Sequence, residues 1–156
     1  MITKEDIIAH LCLEPHPEGG YFYQSYVSEA VVNDKQLFTS IYFLIESGNI
    51  SHFHRISSDE LWYYHAGNAI TIHLIHSDGH YEQVKLGMNL AEGEVPQFLV
   101  PAQTIFASTV EDDSSWSFVG CMVAPGFTFE DFELFKAADL LPLYPEHESV
   151  INKYAL

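Results

Sequence analysis

At 156 residues, with 47% hydrophobic and 14% aromatic residues, the chain is long enough to bury a core and too apolar to be a disordered segment. Six Lys+Arg against 22 Asp+Glu give a formal charge of −16, a surface that repels phosphate backbones and anionic membranes and argues against nucleic-acid or membrane partners. Two scattered cysteines, Cys12 and Cys121, make no disulfide framework, and no apolar run approaches transmembrane length.

The N-terminal MITKEDIIAHL is acidic and amphipathic, unlike a signal peptide, so the expectation is a single cytoplasmic domain over residues 1–156. Residues 3–12 predict a short helix: Thr3 and Asp6 form a T-x-x-D capping pattern, and Ile7, Ile8, Leu11 and Cys12 share one helical face. Pro15 and Pro17 end it. From residue 20 to about 124 the pattern is that of strands. YFYQSYV is followed by the turn-like VND, LFTSIYFLI ends at Ser47-Gly48-Asn49, and ELWYYHAG runs to Gly67. AITIHLIH and YEQVKL flank a hairpin turn centred on Asp78-Gly79. PQFLVPAQTIFAS and SWSFVGCMVAP complete a set of short strands that predicts an all-β sandwich or barrel. FTFEDFELFK, residues 127–136, is ambiguous between strand and helix, and residues 145–155 predict a helix with Pro145 at its first position.

The chemistry concentrates in SHFHRISSDE, residues 51–60. In a strand His52 and His54 point to one face, and Glu60, Trp62 and Tyr64 share a face of the next strand. A connection over residues 55–59 brings Glu60 near the histidines, and two His with one carboxylate are the facial set of non-haem iron sites. The same residues also suit a shared proton or a hydrogen-bonded polar core. In HPEGGYFYQSY, residues 16–26, Gly19-Gly20 permits unusual backbone angles, and Glu18 beside it is either ligand-facing or solvated. Phe127, Phe129 and Phe132 are expected in the core, and Glu130, Asp131 and Glu133 in solvent. Cys121 lies in the apolar FVGCMV, where a buried inert thiol is expected. Ser-His-Asp elbows, phosphate-binding loops and dinucleotide fingerprints are missing from the sequence.

GNISHFHRISSDELWYYHAG, residues 48–67, resembles the first motif of the cupin superfamily, with His52, His54 and Glu60 at ligand positions. The second motif is loose: GEVPQFLVP precedes Pro101-Ala102-Gln103, and Phe106 stands where the last metal-binding histidine is expected. HPEGGYF, PQ-x-x-VPA and VAPGF-x-FEDFEL together resemble an RmlC-like cupin subfamily of unknown function labelled predicted sugar epimerase-like. The resemblance implies an all-β double-stranded β-helix, the cupin jelly roll, with short N- and C-terminal helices, and a homodimer that takes a small-molecule ligand. It implies an epimerase- or isomerase-like pocket with His54, Glu60 and Tyr64 as catalytic groups, and Tyr63 as an alternative to Tyr64. Glu18, Gln24, His52, Trp62 and Phe106 would contact substrate. The alternatives are a ligand-binding cupin without turnover, and a divalent-metal enzyme using His52, His54 and Glu60. Arg55, the lone arginine, is expected to pair with Asp59 or Glu60, or to meet an anionic ligand.

Overall fold

A computed structural model describes residues 1–156. Helix α1 (Lys4–His10) opens the chain behind the capping box that Thr3 and Asp6 form. Strands β1 (Glu14–Pro15) and β2 (Tyr21–Val27) follow, and then a small hairpin of β3 (Val31–Val32) and β4 (Lys35–Gln36) around the VND turn. Next come β5 (Thr39–Glu46), β6 (Ile50–Arg55), β7 (Asp59–Gly67), β8 (Ile70–Ile75) and β9 (Tyr81–Leu86). β10 (Gln97–Val100), β11 (Ile105–Thr109) and β12 (Trp116–Ala124) finish the main strands. The ambiguous 127–136 stretch is neither a full helix nor a full strand. It holds a single 3₁₀ turn at Phe129–Asp131 and then β13 (Glu133–Leu134). Short α2 (Ala137–Leu140) leads to a 3₁₀ turn at Pro145–His147 and α3 (Glu148–Tyr154).

The strands form two sheets, ordered β1-β2-β5-β12-β7-β10 and β13-β6-β11-β8-β9. They pack face to face as a mostly-β jelly roll with its helices at the chain ends. The alternating inward residues form the core between the sheets, including Phe43 and Ile45 of β5, Trp62 of β7, and Ile72 and Leu74 of β8. On the outer face of the second sheet, Phe53 and Ile75 pack against Leu140 and Ile151 of the C-terminal helices. Ile7 and Leu13 cover Leu44 and Phe118 on the outer face of the first. No helix is long and apolar enough to cross a membrane.

Two local irregularities set the direction of the polar side chains on β6. In the β6–β11 ladder, Phe106 lies opposite His54 but Ser108 lies opposite Ser51, so β6 holds one residue more than its partner. Such a bulge inverts the alternation beyond it. Residues paired directly across a ladder share a face, so Ser51 and His54 are the inward residues, and His52 falls within the bulge. The second irregularity is the turn after β1. Gly19 has φ +113°, and a Cβ built there would lie 1.8 Å from the carbonyl oxygen of Ile50. The turn therefore sits against the backbone of β6, an approach only glycine allows.

Gly19→Ala is expected to destabilise the protein by roughly 3 kcal/mol or more, combining backbone strain with a clash against fixed main chain. Urea unfolding measures it, and a loss below about 1 kcal/mol would contradict so close an approach.

Candidate functional site

A cavity of about 300 Å³ opens at one end of the two sheets. Its polar base is Glu18, His54 and Glu60, with His16 beside them. Its walls are Phe22 and Ile41, then Ile56, Cys121 and Val123, and it is closed on one side by Phe127, Phe129 and Phe132. Glu14, Tyr23 and Gln24, with Thr39, complete the lining.

The turn of residues 16–20 delivers Glu18. His16 N–H donates to the Gly20 carbonyl, and Gly19 N–H donates to that of His16. The backbone N–H of His52 donates to the Glu18 carbonyl at 2.8 Å, tying the turn to β6 at the bulge. Glu18 N–H donates to His16 Nδ1 at 3.1 Å, so that nitrogen carries a lone pair and the His16 ring is neutral on that side. Burial lowers the His16 pKa further, despite the nearby Glu18 charge.

His54 is fixed at both nitrogens. Nδ1–H donates to the His52 carbonyl at 2.7 Å, and Nε2 lies 3.0 Å from Glu18 Oε2. Burial opposes charge on both partners, but their mutual attraction overrides it: the His54 pKa is raised and the Glu18 pKa is lowered. The 3.0 Å contact thus favours the carboxylate–imidazolium form of the pair. Glu60 is different. Its Oε2 accepts from the Trp62 indole N–H at 2.7 Å. Burial and the neighbouring Glu18 charge push its pKa to about 7, against the smaller pull of His54. The site thus holds one carboxyl kept ionised and one poised at neutrality, the separation that defines acid–base roles in enzyme pockets.

The residues expected from the sequence are dispersed. His54, Glu60, Glu18 and Gln24 line the cavity. Glu18 is buried, 7% exposed, and not the solvated residue that a plain turn would give. His52 is not in the cavity: the bulge turns it away, and its Nδ1 lies 3.3 Å from the Tyr154 carbonyl of α3. Tyr64 does share a strand face with Glu60, but four residues along a strand is about 13 Å. Its hydroxyl donates to the Gly67 carbonyl at 2.6 Å, at the far end of β7. Tyr63 does not line the cavity either. Trp62 acts through Glu60, from the core. Phe106 is also core, with its ring centroid 4.1 Å from that of His54.

Two expectations are reversed. Phe127, Phe129 and Phe132 form a cavity wall in place of core, and Phe129 is 58% exposed. Arg55 pairs neither with Asp59 nor with Glu60. Its Nε donates to Glu133 at 2.7 Å, while Asp59 accepts from Ala102 N–H. Cys121 is buried, and burial holds its thiol pKa well above the usual value, so it is inert. Sequence reasoning misses His16, because its role depends on a turn that the residues mark only with Gly19-Gly20.

The trio His52, His54 and Glu60 does not fit a metal. No group of three His, Cys, Asp or Glu side chains is arranged to hold one. The His52 ring is outside the cavity, His54 is spent on Glu18 and a carbonyl, and Phe106 packs against the imidazole where another donor would be needed.

Because the folded Glu60 pKa of about 7 lies above its ordinary 4.5, its contribution to stability is present below pH 4.5 and is lost as pH rises through 7. Glu60→Gln should remove that decline. The variant gains up to roughly 3 kcal/mol on wild type at pH 8 and little at pH 4.5. Parallel urea titrations at the two pH values measure it, and an equal difference at both would refute the assignment.

Residues 5–135 match the family described as Cupin superfamily (DUF985). A crystal structure of a Shewanella oneidensis protein is similar over 100% of this chain and 99% of its own, at 49% identity and a TM-score of 0.95. A hypothetical protein from Leishmania major is similar over 99% of each chain, at 38% identity and a TM-score of 0.94. An uncharacterized Saccharomyces cerevisiae protein is 28% identical over 158 residues, 89% of this chain and 78% of that protein. Oxalate decarboxylase from Bacillus subtilis shares the fold alone: 13% identity, a TM-score of 0.58, 78% of this chain and 29% of that one. With the jelly roll, the cavity and the family match in agreement, the chain belongs to the cupin superfamily, in the family DUF985.

Proposed function

We propose that this cupin binds a small carbonyl compound and moves a proton next to the carbonyl, as an isomerase or epimerase does. The observation that carries the reading is one geometry: Glu18 Oε2 lies 3.0 Å from His54 Nε2, with Glu60, at a pKa of about 7, opening on the same cavity. In this reading Glu60 carboxylate takes the proton from the carbon alpha to the carbonyl. The C–H electron pair moves into the C–C bond, and the carbonyl oxygen gains charge. That oxygen would share the His54 Nε2–H now held by Glu18 and take its proton as charge develops, leaving a neutral enol and a neutral His54 beside the Glu18 carboxylate. Return of the Glu60 proton to the same carbon, with the enol proton passing back to His54, gives exchange; where that carbon bears a hydroxyl, protonation of the former carbonyl carbon, with the alpha-hydroxyl proton passing to His54, gives the isomer.

These roles differ from those implied by the resemblance. Glu18 orients His54, Glu60 is the base, and Tyr64 has no part. With its hydroxyl on Gly67, Tyr64 does not supply an acid on the opposite face of the substrate. One tuned base beside one imidazolium suits isomerisation better than two-base epimerisation. A second reading, ligand binding without turnover, is favoured by the mostly apolar walls.

Neutral cyclic ketones incubated with the protein in heavy water should exchange their alpha protons, read by NMR. Glu60→Gln or His54→Asn should slow the exchange by roughly 10²-fold or more. The rate should rise as pH passes through about 7, where Glu60 loses its proton. Absence of exchange across a ketone panel, with ligands that still raise the melting temperature, would replace the enzyme reading with the binding one.

A further inference from the structure

The charged residues of the chain fall into an uneven pattern around this cavity. All six Lys+Arg lie outside its lining. Lys4 pairs with Glu46, Lys35 with Asp131 and Arg55 with Glu133. Lys85 lines a separate polar pocket with Glu94 and Glu111. Within the cavity stand three carboxyl groups, Glu14, Glu18 and Glu60, and the imidazolium charge of His54 is already taken by Glu18. The formal charge of −16 adds a long-range field of the same sign.

A phosphate or carboxylate entering here would lose its hydration and meet no cation. Burying an unpaired charge in an apolar site is strongly unfavourable. An ammonium would likewise lose its hydration among apolar walls, with Glu18 already paired to His54 and Glu60 held by the Trp62 indole. What the walls offer is aromatic surface: Phe127, Phe129 and Phe132 meet edge to face, with centroids 5.0 to 6.3 Å apart and interplanar angles of 69° to 79°. This corner is fixed from outside. Lys35 holds Asp131 at 2.5 Å, Thr128 Oγ1 donates to Asp131 at 2.8 Å, and Phe127 N–H donates to Thr39 Oγ1 at 2.9 Å.

Resting on the reading of this cavity as the ligand site, we propose that its ligand is an uncharged carbonyl compound with a compact apolar body. Anionic metabolites such as sugar phosphates, sugar nucleotides and dicarboxylates are excluded. The carbonyl oxygen faces His54, and the body lies against the phenylalanine corner. At about 300 Å³, at the low end of ordinary ligand pockets, the space suits a single substituted ring.

The test uses the full chain and four probes of similar size: acetophenone, benzoate, benzylamine and methyl glucoside, with affinities from NMR titration. Acetophenone is expected to bind about tenfold or more tightly than each of the other three. Tighter or equal binding of benzoate, of benzylamine or of the glucoside overturns the proposal, as does failure of acetophenone to bind. Phe129 is exposed enough to accept a charge without disturbing the core. Phe129→Lys should bring benzoate to within about threefold of acetophenone by supplying the missing cation; unchanged benzoate affinity in that variant overturns the charge argument. The outcome is independent of turnover. Acetophenone preference without proton exchange leaves this inference standing and removes the isomerase reading, and proton exchange on an anionic substrate does the reverse.

Discussion

The contact on which the site depends is a backbone one: the turn of residues 16–20 seated against β6. Gly19 approaches the Ile50 carbonyl closer than any side chain permits, and His52 N–H closes on the Glu18 carbonyl at 2.8 Å. This fixes the Glu18 main chain to the strand that carries His54, so that their side chains meet at 3.0 Å inside the sheets. A buried ion pair is stabilising only when its geometry is good and its remaining polar atoms are bonded. Here the carbonyl of His52 holds the other imidazole nitrogen, and the bulge supplies both of these main-chain contacts from one residue.

The bulge also explains why an H-x-H sequence does not become a pair of side chains in the cavity. Regular alternation would put His52 and His54 side by side; one inserted residue replaces His52 with Ser51 on the inner face. His52 then contributes its backbone to Glu18 and its ring to the end of α3. With Phe106 against the remaining imidazole, the cupin scaffold here carries a carboxyl–imidazole–carboxyl arrangement without a fitting metal-ligand set. Electrostatics follow from the same packing. Burial with only an indole donor, and then the nearby Glu18 charge, drive the Glu60 pKa up to about 7.

Apolar burial divides the fold into three bodies of contact: one between the sheets, one under the C-terminal helices and one under α1. The cavity lies at the open end of the first. Its phenylalanine wall is irregular chain and not sheet, held by Lys35–Asp131 and by hydrogen bonds to β4 and β5. Such a segment can present large apolar side chains to a ligand because its own backbone is anchored by polar contacts on the outside.

Much of this was legible in the residues. The capping box of α1, the hairpin at Asp78-Gly79 and the period-2 strands are local signals, and the structure agrees with each because short-range chemistry decides them. The cupin motifs pointed to the right superfamily, and Gly19-Gly20 marked the turn that matters. Three things were decided only in three dimensions. The bulge that removes His52 arises from a mismatch with β11, some fifty residues away in sequence. Tyr64 falls on the expected face but too far along its strand. His16 becomes a functional candidate, and Glu18 the partner of His54, only when the turn docks on β6. The sequence by itself determined which residues could carry charge and where strands would run, because propensity and pattern act within a few residues. Which carboxyl meets which imidazole was left to tertiary structure, because pairing register and backbone approach are set by contacts between distant segments.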